Sequence, residues 1–285
     1  MTVVFDGIAA GMLLFLTSIG LSVTLGLMNF INLAHGAFAM LGGYVCVGLL
    51  QRTGLPFLAA LPVAALAAAL AGVVLERLLY RRLYGASHLD QVLFSIGLVF
   101  VAMSSATYFF GSLQQPLQLP SFLTGQIHLP GLDMGVYRLL LIAVGLALAV
   151  GLQWLMARTR FGASLRAAVD NPRAARGMGI DVDRIFVLTF ALGSALAGLG
   201  GALGVEMLGL DPEFPVRYLV YFLIVVAVGG GGSIRGSLYA ALLLGIFDVA
   251  SKYYVPQIGA FVIYAVMVVV LIFRPQGLFG RTAAK

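Results

Sequence analysis

The chain has 285 residues, 61% of them hydrophobic and only 10% charged, with a mean hydropathy of +1.04. These values exclude an ordinary soluble domain, in which about 25% of residues are charged, and define an integral membrane protein. A formal net charge of +6 would suit a nucleic-acid partner, but the cations are placed in a way that assigns it to membrane topology.

The first stretch, MTVVFDGIAAGMLLFLTSIGLSVTLGL, has no basic leading region, and its apolar run exceeds that of a signal peptide, so it is expected to stay as an anchor. A helix needs about 20 apolar residues to cross about 30 Å of hydrocarbon. The uncharged run 7–51 has room for two passes; others follow at 53–75, 91–132, 139–157, 185–205, 218–234 and 255–273, with a shorter one at 236–247. Inside the first run stand Asn29, Asn32 and His35, where an unsatisfied polar group costs several kcal/mol. They fit a turn between the first two spans with Asn32 capping the next helix, hydrogen bonds between helices, or the lining of a translocation path. The adjacent Gly36, with Gly42 and Gly43, fits helix packing.

Residues 77–90 form a basic loop, whereas 111–135 holds three prolines and no Lys or Arg, which predicts an outer loop with extended structure. The stretch VDNPRAARGMGIDVDR (169–184) is the most polar of the chain. Asn171 is a strong N-cap, Pro172 suits the first helical position, and Gly177 and Gly179 permit a helix end. The product is a helix of about two turns, too short to stand alone in water. It either lies against the bundle or docks on a partner, with Ala174 and Ala175 allowing close approach. Gly229, Gly230, Gly231 and Gly232, followed by Ser233 and Gly236, predict either a broken helix lining a cavity or a turn at the inner surface.

With the N-terminus outside and nine crossings, thirteen cations fall inside and four outside, the positive-inside bias. The outer four, Arg52, Arg138, Arg217 and Lys252, could meet acidic residues on a binding protein. Of the acids, Glu206, Asp211 and Glu213 cluster at the outer face and only Asp248 and Glu206 approach the bundle, which weighs against an ion-coupled carrier. His35, His88 and His128 are scattered, with no metal-site spacing and no nucleophile elbow, so no catalysis is expected. Cys46 is the sole cysteine, which rules out an intrachain disulfide. No phosphate-cradling Gly-x-x-x-x-Gly-Lys-[Ser/Thr] run occurs, so ATP-driven transport would need an ATPase on another chain. No polar segment is long enough for a soluble domain, so residues 1–285 read as one membrane domain with a loop at about 158–184.

Four segments carry a resemblance. RAAVDNPRAARGMGIDVDRIFVLTFALGSALAGLGGAL (166–203) closely resembles the cytoplasmic loop and following helix of bacterial ABC importer permeases of the branched-chain amino acid (LivH/LivM) family. GLMNFINLAHGAFAMLGGYV (26–45) is similar to that family's N-terminal signature, nearer its LivH branch, and GGGGSIRGSLYAALLLG (229–245) and FRPQGLFG (273–280) also match. The loop departs from the Glu-Ala-Ala of many ABC permeases, with Arg166-Ala167-Ala168 and Arg173-Ala174-Ala175 instead.

The uncharged runs give an all-α polytopic bundle of eight or nine spans, the glycine run suggests discontinuous helices, and the charge bias puts the N-terminus periplasmic and the C-terminus cytoplasmic; the resemblance implies a bacterial inner membrane. It implies a short cytoplasmic coupling helix of Asp170, Asn171, Pro172, Arg173, Ala174, Ala175, Arg176, Gly177, Met178, Gly179 and Ile180. The implied role is a permease subunit carrying branched-chain or related amino acids by alternating access. Its partners would be a second, LivM-like permease, two ATP-binding subunits and a periplasmic binding protein. No cofactor is expected on this chain, with ATP and Mg on the partner ATPases. Urea, short amides or aromatic acids are alternative cargoes, and an ion-coupled secondary carrier is the alternative mechanism. The resemblance raises the path reading of Asn29, Asn32 and His35; Gly36, Gly229 to Gly232 and Ser233 are further candidates for the path.

Overall fold

In the computed structural model, residues 1–28, 30, 32–129 and 132–280 are described; Asn29 lies outside them. In chain order come α1 Thr2–Met28, α2 His35–Thr53 and α3 Phe57–Leu78, then a 3₁₀ turn Tyr80–Leu83 and α4 His88–Phe110. A hairpin of β1 Gln126–Leu129 and β2 Leu132–Gly135 precedes α5 Val136–Arg158, α6 Arg160–Asp170 and α7 Pro172–Gly177. The chain continues with α8 Val182–Leu208, α9 Phe214–Gly229, α10 Ile234–Tyr254 and α11 Gly259–Phe273. The helices α1, α3, α4, α5, α8 and α10 are long and apolar enough to cross a membrane, and α9 and α11 are apolar but shorter. The architecture is an all-α polytopic bundle, and the extended structure expected in 111–135 takes the form of the antiparallel hairpin, with Gln126 opposite Gly135.

Hydrocarbon offers no water to backbone or hydroxyl groups, so each must be satisfied locally. On α1 the hydroxyls of Thr17, Ser18 and Thr24 donate to carbonyls one turn back, at Leu13, Leu14 and Gly20. Ser87 and Asp90 form a reciprocal capping box at the start of α4. At the centre, α8 packs against α1, α2 and α3. Small residues set that approach: a Cβ on Gly42 of α2 would fall on the main chain of Gly198 in α8, and one on Gly198 would strike Ala68 of α3. Helices in lipid gain nothing from hydrophobic exclusion, so close contact of this kind is what joins them.

The starts of α2 and α9 pack on each other. His35, the first residue of α2, places Nε2 2.9 Å from the Thr17 carbonyl. Thr17 lies three turns before the end of α1, about 16 Å along its axis. The start of α2 therefore lies beside α1, about three turns from its end. Gly36 rests on Pro215 in the first turn of α9, where a Cβ would come 2.9 Å from the proline Cα. The preceding Leu210 and Asp211 are buried. The first turns of α2 and α9 thus meet through Gly36 and the buried Pro215.

Candidate functional site

The end of the bundle that carries α7 is built from capped local structure. Thr159 caps α6 by accepting from the Gly162 amide at 3.2 Å. Along α6 the buried residues are Gly162, Leu165 and Ala168, so this helix lies on the bundle with its other faces exposed. Asn171 then accepts from the Ala174 amide at 3.0 Å and Pro172 takes the first turn, as their residue types predict. The helix ends when the Ile180 amide bonds the Ala175 carbonyl at 3.0 Å and Gly179 turns to φ +82. The expected segment 170–180 is thus divided: Asp170 closes α6, and α7 itself is six residues long. Its two alanines differ. Ala175 is fully buried against Ala168 and Val182, whereas Ala174 is exposed, as are Arg173 and Gly177. Met178 beside them is 69% exposed, an apolar side chain left uncovered.

The α7 end is tied to the interior by groups that the sequence reading passed over. Asp183, in the first turn of α8, accepts from Arg176 of α7 at 3.1 Å and pairs also with Arg81 of the 3₁₀ turn. In the same turn the fully buried Tyr80 donates to Asn32 Oδ1 at 2.9 Å. Tyr84 donates to the buried Glu76 at 2.7 Å, and burial, then this hydrogen bond, raises its phenol well above the ordinary tyrosine value. Glu76 was legible as an acid closing an apolar run (VVLERLLY), whereas Tyr80 and Tyr84 had no local signal.

Asn32, His35 and Gly36 are brought together, buried and partnered: Asn32 Oδ1 also accepts from the Ala34 amide at 3.1 Å, and the His35 ring meets Phe222 edge-on at 6.1 Å. The glycine run stands apart, because Gly36 touches Pro215 while Gly229 lies about 21 Å further along α9. Gly229 packs on the main chain of Gly236 and Ser237, and Ser233 caps α10 by accepting from the Gly236 amide at 3.0 Å. The segment after α11 closes over this turn, with Leu278 N donating to Val228 O at 2.7 Å. A groove of about 400 Å³ separates Gly231, Gly232 and Ser233 from Arg166 and Asp170 of the α6 region. Of the four cations assigned to the opposite end, Arg138 pairs with Asp6, Arg217 with Asp211 at 2.7 Å, and Lys252 with Asp248 at 2.6 Å. Among the described residues, Arg52 is the one of the four without a carboxylate partner.

A bundle of membrane-length apolar helices that displays a short, capped polar helix at one end has the build of a transport permease. The chain belongs to the family described as the branched-chain amino acid transport system permease component, whose model matches residues 3–271. It is 28% identical to the high-affinity branched-chain amino acid transport system permease protein BraD of Pseudomonas aeruginosa, over 97% of this chain and 94% of that one. To LivH of Escherichia coli K12 it is 28% identical over the same shares. LivM of that organism matches at 26% identity over 95% of this chain and 68% of its own length. No solved structure matches the chain.

Proposed function

We propose that this chain is the permease subunit of a bacterial ABC importer that moves branched-chain or related amino acids across the inner membrane. Near full-length similarity to the BraD and LivH permeases supports the class and the cargo. The observation that carries the reading is α7: a capped helix fixed through Ala175, with Ala174 and Met178 uncovered for a partner. In this reading residues 170–180 couple to an ATPase subunit. ATP binding and hydrolysis on the partner chains shift α7, and the bundle opens to each side in turn. The helices α1 to α5 and α8 to α11 supply eight or nine spans, with the N-terminus periplasmic and α7 cytoplasmic. The LivM match supports a second, LivM-like permease as the companion subunit. A binding protein supplies affinity, so the path need only be polar enough for a zwitterion and weak enough to release it. The first turns of α2 and α9, at His35, Gly36 and Pro215, are where that path is proposed to pass.

The test is a pair of cysteines in the complex assembled with its ATPases. Ala174→Cys is expected to crosslink to an ATPase cysteine and Ala175→Cys to remain unreactive. Accessibility of Ala174→Cys that ATPase binding leaves unchanged overturns the docking. Amino-acid uptake that persists with a hydrolysis-dead ATPase overturns the importer class in favour of an ion-coupled carrier.

A further inference from the structure

We propose that Tyr80 and Asn32 are positioning residues that link α7 to the buried start of α2, so that movement of one shifts the other during transport. The inference rests on the reading of α7 as the ATPase-coupling helix.

Two separate connections run from α7 to the 3₁₀ turn that carries Tyr80. One is apolar. Ala175 is buried in a cluster with Val182, against which Phe186 packs. From Phe186 a series of ring contacts continues: to Tyr84 at 5.6 Å, Tyr84 to Phe30 at 5.9 Å, Phe30 to Tyr80 at 5.3 Å and Tyr80 to Phe190 at 4.6 Å. Phe190 then meets Phe38 of α2 at 5.8 Å. The other connection is ionic, with Asp183 bridging Arg176 of α7 and Arg81 beside Tyr80. That bridge is exposed and contributes little to stability. The rings of Phe30, Tyr80 and Phe190 are buried to 2% exposure or less, and a close-packed interior transmits displacement rather than absorbing it.

The last step is a single atom. Asn32 Oδ1 accepts from the Tyr80 hydroxyl at 2.9 Å and from the Ala34 amide at 3.1 Å, immediately before α2. His35 follows, fixed to Thr17. Displacing the 3₁₀ turn therefore displaces the residue that orients the entry into α2. Burial holds the Tyr80 phenol far above its ordinary pKa, so it stays a donor at every physiological pH.

Tyr80→Phe removes the hydroxyl and keeps the ring stack. The measurement is solute moved per ATP hydrolysed by the full complex in proteoliposomes, alongside crosslinking of Ala174→Cys to the ATPase and the apparent unfolding temperature. The expected result is a fall of about three- to tenfold in solute per ATP, within the range of single coupling contacts, with crosslinking and unfolding temperature retained. Adding Tyr80→Phe to Asn32→Ala is expected to lower the ratio no further, since the shared bond is already gone. A wild-type ratio for Tyr80→Phe with the crosslink intact overturns the link and leaves the coupling helix standing. Losses that add fully in the double variant overturn it as well. Failure of Ala174→Cys to crosslink in the unaltered background removes both readings together.

Discussion

The stacking of Gly42, Gly198 and Ala68 makes a prediction that one methyl group can test. In Gly42→Ala the new Cβ meets main-chain atoms of Gly198, which no rotamer change can clear, and Gly198 is itself backed by Ala68. Helices α2 and α8 must then separate by about an ångström along their crossing. Overpacking costs about 1–3 kcal/mol, and contact with main chain belongs at the upper end. Gly48 lies six residues further along α2 and is the internal control, since a Cβ there meets nothing within 4 Å. Both substitutions gain the same helix propensity, about 1 kcal/mol, so their difference isolates packing. At about 2–4 °C per kcal/mol, Gly42→Ala is expected to melt about 6–12 °C below Gly48→Ala. The assay is apparent unfolding temperature in one detergent at a fixed scan rate, because irreversible unfolding makes the midpoint depend on scan rate. A Gly42→Ala protein that melts with or above Gly48→Ala refutes the packing argument.

Two further outcomes concern the ends of the bundle. Asn171→Ala removes the side-chain cap of α7, worth about 1 kcal/mol; ATPase subunits titrated onto the permease in nanodiscs should bind about fivefold more weakly, and unchanged affinity would count against a preformed docking helix. Arg52→Glu is expected to slow binding-protein-dependent uptake at low ionic strength more than Lys252→Glu does, because Lys252 is already paired with Asp248. Equal salt dependence for the two variants removes Arg52 from the docking surface.

Much of this was legible in the residues. Long uncharged runs marked the spans, and Asn171-Pro172 announced the start of α7, because capping is a local interaction between neighbours in sequence. The amphipathic spacing of Phe161, Leu165 and Ala168 was also present in α6, though it was not singled out. What stayed hidden depends on tertiary partners. Ala174 and Ala175 read alike until α6 and α8 cover one of them. Asn32 and His35 fitted a turn, a helix contact or a path, since their partners Tyr80 and Thr17 lie in other elements. The glycine run left a broken helix and a surface turn evenly matched, and its contact with Leu278 comes from beyond α11. The ring series from Phe186 to Phe38 draws on several elements and has no period in any of them.

The interior start of α2 bears on how the chain enters the membrane. This helix begins with a histidine, carries Gln51, Arg52 and Thr53 at its end, and is absent from the segments apolar enough to cross unaided. The surfaces that make it tenable, at Gly198 and Gly201 of α8 and Pro215 of α9, are synthesised more than a hundred residues later. Until α8 and α9 are made, the polar start of α2 therefore lacks the contacts that bury it in the folded chain.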